Sequence, residues 1–145
     1  MPCVQRGASR LEIVLTNRPD EMKRLLQALE AFVTAHRLPA KVLQAADLAL
    51  AEHVTNVLKY AYADTTTHEI RVRLSCDEGV LHAEVEDDGR AFNPLEVPVV
   101  DTSVPLEQRS LGGLGIHLMR QFMDTLDYRR EGSRNILRMT KRLEA

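Results

Sequence analysis

The chain has 145 residues, 44% of them hydrophobic and 28% charged, with a formal net charge of −2. That is the size and composition of one soluble globular domain with a real core, and so near-neutral a charge removes the electrostatic case for a nucleic-acid binder. The first ten residues lack the apolar run of a signal peptide and no stretch of about 18 apolar residues occurs, so a cytoplasmic protein without a membrane span is expected. Cys3 and Cys76 stand far apart without a CxxC partner, which argues against a structural zinc site or a disulfide framework.

In chain order, Leu11, Ile13 and Leu15 alternate with Glu12, Val14 and Thr16 and predict a strand. Pro19, Asp20 and Glu21 suit a helix start, and Met22, Leu25, Leu26, Leu29, Phe32 and Val33 keep helical spacing to about His36. After a break at "RLPA" a second helix is expected from about Ala40 to Ala61, with Leu43, Leu50, Val54, Val57 and Ala61 on one side. "HEIRVRLSC" and "VLHAEVE" alternate on either side of "DEG" and read as a hairpin with one wet face. Residues 87–111 have no period and carry Pro94, Pro98 and Pro105, as a long functional loop would. A third helix is expected from just after the glycines of "GGLGIHLMR" (112–120) to about Leu126, then a closing hairpin of "LDYRR" and "NILRMTKRL" turning at "EGS". No repeats or linkers interrupt the chain, so 1–145 reads as one domain. Helices over one face of a mainly antiparallel sheet make a two-layer α/β sandwich.

Three stretches carry chemistry. Glu52 and Asn56 are an i, i+4 pair on the polar side of the second helix, with Lys59 beside them. A solvated face accounts for such a stripe, yet Asn is a poor interior helix residue and a neutral oxygen ligand for magnesium, and a carboxylate one turn away can act as a base. "VEDDGRAFNP" (85–94) ends a strand with acids and a glycine; it reads as a turn, or as a site where Asp87 accepts a hydrogen bond from an exocyclic amine and Gly89 admits a flat ring. "GGLG" (112–115) fits neither the dinucleotide fingerprint, which needs a third glycine, nor the Walker pattern, which needs GK[ST]. It remains either a hinge or an anion cradle built from backbone N–H groups.

Taken together, "ALAEHVTNVLKYAY", "VEDDGRAFNP" and "GGLGIHLM" resemble the N, G1 and G2 boxes of the GHKL ATP-binding superfamily, the Bergerat fold, over nearly the whole chain. Within it the chain is most similar to the small anti-sigma factor serine/threonine kinases. The resemblance implies ATP and magnesium as cofactors, a mobile ATP lid from about Phe92 to Leu111, and a site in named places. Glu52 corresponds to the general base, Asn56 to the magnesium ligand, and Asp87 to the acceptor of the adenine amino group. Gly89 and Ala91 lie beside the base, Ala91 in place of the second glycine of a DxGxG pattern. Gly112, Gly113, Leu114 and Gly115 lie under the phosphates, Arg109 is a lid arginine for the γ-phosphate, and Asn135 falls near the adenine. Tyr60 departs from the family by standing where many relatives have histidine. The implied function is phosphorylation of a STAS-domain antagonist in a partner-switching system, with a sigma factor or another regulator as second partner and a homodimer as the assembly. Alternatives are a nucleotide-gated module that sequesters a regulator without phosphotransfer, and a detached domain acting on a separate histidine-bearing protein. His53, His82 and His117 have no metal-ligand spacing, and no nucleic-acid or membrane partner is implied.

Overall fold

The computed structural model describes residues 9–96 and 111–144. Its elements are β1 (Ser9–Thr16), α1 (Glu21–Ala35), α2 (Ala40–Tyr60), β2 (Glu69–Asp77), β3 (Val80–Asp87), a short 3-10 turn (Pro94–Glu96), α3 (Leu111–Phe122), β4 (Thr125–Glu131) and β5 (Arg134–Arg142). The five strands form one sheet in the order β1-β2-β3-β5-β4, with every neighbouring pair antiparallel. The β2–β3 turn has positive φ at both Glu78 (52°) and Gly79 (78°), the backbone that lets a two-residue hairpin follow the strand twist. At the β4–β5 turn Gly132 supplies the left-handed residue, with φ of 58°.

Period-two alternation separates the faces of the sheet. Leu15, Ile70, Val72, Leu74, Leu81, Ala83, Val85, Leu137 and Met139 are buried on one side. Against them lie Leu25, Leu29, Phe32 and Val33 of α1, Val42, Ala46, Leu50, Val54 and Val57 of α2, and Ile116, Met119 and Met123 near the end of α3. α2 is the central helix, packed against α1 and α3 and touching β3 and β5. Its buried stripe begins at Val42 rather than at the expected Leu43, which is only half-buried. The alanines at 45, 46 and 49 are all buried, and their small side chains let neighbouring elements come close.

The opposite face of the sheet is wet and charged. One row crosses all five strands as Glu12, Arg73, Glu84, Arg138 and Asp127, alternating in sign at every step. Arg73 sits among three carboxylates, at 3.0 Å from Glu12, 3.1 Å from Glu84 and 2.9 Å from Glu86. Cross-strand pairs of opposite charge stabilise a register that a one-residue slip would destroy.

The third helix differs from expectation at both ends. It begins at Leu111, so the glycines lie inside it rather than before it, and it ends at Phe122 rather than near Leu126. At its end the sheet captures the chain. Asp124 donates its N–H to the Thr140 carbonyl (2.9 Å) and accepts the Arg142 N–H (2.6 Å), after which Leu126 pairs with Met139 in β4. Among the described residues no helix is long and apolar enough to cross a membrane. Cys3, on which half of the cysteine expectation rests, lies outside the described residues, as does Arg109.

Candidate functional site

The inward parity of β3 runs Leu81, Ala83, Val85 and then Asp87, so the acid falls on the core face one step past the last apolar residue. Asp87 is consequently buried, only 2% exposed. Its strand neighbour in register is Asn135 of β5, 4% exposed, and Asn135 in turn is in register with Arg130 of β4. A polar row, Asp87–Asn135–Arg130, therefore caps the apolar rows at one end of the sandwich. Asp87 Oδ1 accepts the Gly89 N–H (2.9 Å) and Asn135 Nδ2 (2.9 Å). Burial raises the Asp87 pKa above the ordinary aspartate value, and the bonds from Asn135 and Gly89 pull the other way.

The turn after Asp87 is fastened to the end of α2. The Arg90 N–H donates to the Ala61 carbonyl at 2.9 Å, and Arg90 Nε to the Tyr60 carbonyl at 2.7 Å, satisfying carbonyls that a helix terminus leaves open. Gly89 is pressed against the same place: a Cβ there would lie 2.5 Å from Ala61 Cβ and 2.6 Å from the Ala61 carbonyl oxygen. Whatever Gly89 offers a ligand, helix–turn contact by itself demands glycine. Ala91, two residues on, is exposed, and Phe92 approaches the Tyr60 ring with centroids 6.1 Å apart.

Asn56 stands four residues before Tyr60, about 6 Å along the helix axis. It is 4% exposed, whereas Lys59 is exposed and Glu52 half-buried, so the polar stripe of α2 is not a uniformly solvated face. α2 is also the helix on which α3 packs, and Gly112, Gly113, Leu114 and Gly115 lie in the opening turns of α3. The first N–H groups of a helix have no intrahelical acceptors and favour anions. α2 is thus the shared wall. The turn after Asp87 is docked at its C-terminus, the Glu52–Asn56 pair lies one to two turns back, and the glycine-bearing helix packs alongside. Among the described residues no three His, Cys, Asp or Glu side chains gather as a metal site.

The model of the histidine kinase-like ATPase domain matches residues 15–141, which is most of the chain. The chain belongs to the histidine kinase-like ATPase domain family. For this ATPase domain, use of ATP follows from membership. Among curated proteins it is 27% identical over 126 residues to the serine-protein kinase RsbW of Bacillus licheniformis, covering 83% of this chain and 78% of that protein. It is 26% identical over 112 residues to the serine/threonine-protein kinase BtrW of Bordetella bronchiseptica, covering 77% and 79%. The structure described as the RsbU and RsbW domains of a Mycobacterium tuberculosis protein superposes with a TM-score of 0.67 at 14% identity, over 92% of this chain and 32% of that one. The histidine kinase domain of the Erythrobacter litoralis blue-light activated kinase gives 0.56 at 22% identity, over 86% and 60%. These two establish the fold, a two-layer α/β sandwich; this chain spans about a third of the first and less than two thirds of the second.

Within the ATPase domain, several site-end residues were not foreseen from sequence. Arg130 and Tyr128 both reach Asn135, and nothing in "LDYRR" marks them beyond strand alternation. His68 stacks on Tyr62 (centroids 4.1 Å, planes 15° apart) and bonds Asp64 Oδ1 at 2.8 Å and Asp88 Oδ1 at 3.1 Å. Its pKa is raised chiefly by the Asp64 hydrogen bond, and that bond in turn holds Asp64 down to about 2. His53, expected on the buried flank of α2, is 3% exposed with no partner for Nδ1 among the described residues, and burial lowers its pKa to about 4. His117 is exposed on α3 and His82 half-buried on the charged face.

Proposed function

We propose that this domain is an ATP-dependent protein serine/threonine kinase and anti-sigma-type regulator that phosphorylates a STAS-domain antagonist in a partner-switching system. A sigma factor or another regulator is its second partner, and the reading includes a homodimer in the cytoplasm. The observation that carries the proposal is the buried Asp87 held at the end of the core row beside α2, the helix that bears Glu52 and Asn56. Membership in the ATPase family and the serine-kinase relatives support it.

The residues fit a magnesium nucleotide. A buried acid at the edge of an apolar layer suits an amine-bearing heterocycle, with Oδ1 already engaged and Oδ2 as acceptor. Gly89 and Ala91 lie at the same end. In the open first turn of α3 the N–H groups of Gly112 and Gly113 suit phosphate oxygens, while those of Leu114 and Gly115, expected under the phosphates, lie one turn in and are spent on the helix. Asn56 would hold the magnesium ion, which would neutralise phosphate charge. Phosphoryl transfer demands positioning and charge neutralisation more than covalent help. The substrate hydroxyl oxygen forms a bond to the terminal phosphorus as the bond to the ADP oxygen breaks. Glu52 takes the hydroxyl proton, and the charge on the transferred group falls to Arg109 by the family resemblance alone, since that residue lies outside the described ones.

Incubation with radiolabelled ATP and candidate STAS proteins tests the reading directly. Glu52→Ala is expected to keep ATP affinity within about threefold and to lose label transfer by roughly 100-fold or more, the usual worth of a general base. Failure of the native protein to label any antagonist while ATP binds would refute the kinase function. The competing module without phosphotransfer draws support from Tyr60, whose ring lies against Phe92 at the place where many relatives carry histidine. It predicts that ATP releases a bound partner equally from native protein and from Glu52→Ala.

A further inference from the structure

We propose that Arg130 and Asn135 are positioning residues that lock the carboxylate of Asp87 and so set selectivity for a 6-amino purine over a 6-oxo purine. The proposal rests on the nucleotide reading above and assigns the residues that make its base end selective.

The Asn135 amide is fully occupied. Its Nδ2 donates to Asp87 Oδ1 (2.9 Å) and to the Arg90 carbonyl (2.8 Å). Its Oδ1 accepts from the Phe92 N–H (3.3 Å), Arg130 Nη1 (3.0 Å) and the Tyr128 hydroxyl (2.5 Å). An amide has two donors and two lone pairs; both donors are spent and three donors share the two lone pairs, so nothing is left for a nucleotide. The orientation is also unambiguous. A flipped amide would set its oxygen against a carboxylate and a carbonyl, and its nitrogen against three donors. Asn135 therefore acts on Asp87 rather than on the base, although the sequence expectation places it near the adenine.

Arg130 is the outer brace. Its Nη1 bridges the Gly89 carbonyl (2.8 Å) and Asn135 Oδ1 (3.0 Å), tying the turn after β3 to β4 across β5. With Oδ1 of Asp87 holding two N–H bonds, the carboxylate cannot rotate without breaking them. Among the described residues no hydrogen bond is made to Oδ2. A fixed acceptor welcomes an amino group and opposes a carbonyl oxygen, and a loosened one discriminates less.

Calorimetry with ATP and inosine triphosphate, each with magnesium, reads this as a ratio of affinities for native protein, Arg130→Ala and Asn135→Ala. The native protein should prefer ATP. Both variants should narrow that preference by roughly tenfold, about the worth of one well-placed buried hydrogen bond, with inosine triphosphate affinity within about twofold. The Arg130 side chain is exposed, so Arg130→Ala carries the test if Asn135→Ala does not fold. An unchanged ratio in folded Arg130→Ala overturns the proposal, as does an equal loss for both nucleotides. A native protein that binds both equally overturns it while leaving the nucleotide site standing. Native protein that binds neither overturns the nucleotide reading itself.

Discussion

Asp87 shows how one residue acquires its role. As a letter in "EDDG" it is a turn acid; as the fourth member of an inward series after Leu81, Ala83 and Val85 it is a buried carboxylate. That parity is present in the sequence, and extending the alternation by one step finds it. Gly89 is different. The sequence suggests room for a ring, while the structure adds contact with the end of α2, which no local pattern reveals. Gly89→Ala is expected to cost about 1–3 kcal/mol, because the new Cβ meets both a side chain and backbone of Ala61 in a place that cannot yield without shifting the helix end. Urea denaturation checks this, and an unaltered midpoint would mean that α2 and the turn separate freely.

At the scale of elements, hydrophobic periodicity placed the strands and the first two helices within a few residues. It failed at α3, where a helix entered through glycines was read as a helix after glycines. The cost of glycine in a helix, about 1 kcal/mol each, is why local propensity argues for the later start. The apolar spacing of Leu111, Leu114 and Leu118 is consistent with the earlier one. The far end was misplaced because Leu126 continues the apolar series, yet strand pairing with Met139 claims it. The charged sheet face carries its own prediction. Arg73→Ala removes the cation shared by Glu84 and Glu86, whose side chains are only 18% and 11% exposed, and leaves each with a single arginine among the described residues, Arg138 at 3.1 Å and Arg134 at 3.0 Å. A loss of about 1 kcal/mol is expected, at the upper end for a surface pair because those carboxylates are partly desolvated yet keep one partner each. Denaturation of Arg73→Ala beside Arg71→Ala, whose closest carboxylate is 3.6 Å away, isolates the effect.

For the molecule as a whole, two histidines give stability a pH dependence of opposite sense. Burial lowers the His53 pKa to about 4, below the ordinary 6.5, so between those values the unfolded chain binds the extra proton. The His53 contribution is thus complete above pH 6.5 and falls by on the order of 3 kcal/mol as pH drops to 4. His68 has a raised pKa, from bonds to Asp64 and Asp88, so its contribution is full below pH 6.5 and is lost as pH rises through the folded value. Asp47 and Asp87, raised by burial, gain stability toward acid and oppose the His53 effect, so the comparison must be between variants. Urea melts from pH 4 to 8 should show the acid-side fall flattened in His53→Leu and the alkaline-side loss removed in His68→Gln. Parallel curves for native protein and His53→Leu would show that the buried imidazole is not the titrating group.

By itself the sequence determined the two-layer architecture, the helix carrying Glu52 and Asn56, and the inward series Leu81, Ala83 and Val85 that Asp87 extends. Each depends on a local period of 3.6 or 2, and such periods are written in neighbouring residues. Tertiary structure alone decided that Asn135 and Arg130 stand beside Asp87, that Ala61 closes on Gly89, and that α3 begins at Leu111. The first two depend on the β3-β5-β4 strand order and on which helix end meets which turn. Residues 87 and 135 are joined by register across the sheet, and register is set by the packing of the whole core rather than by any short stretch of chain.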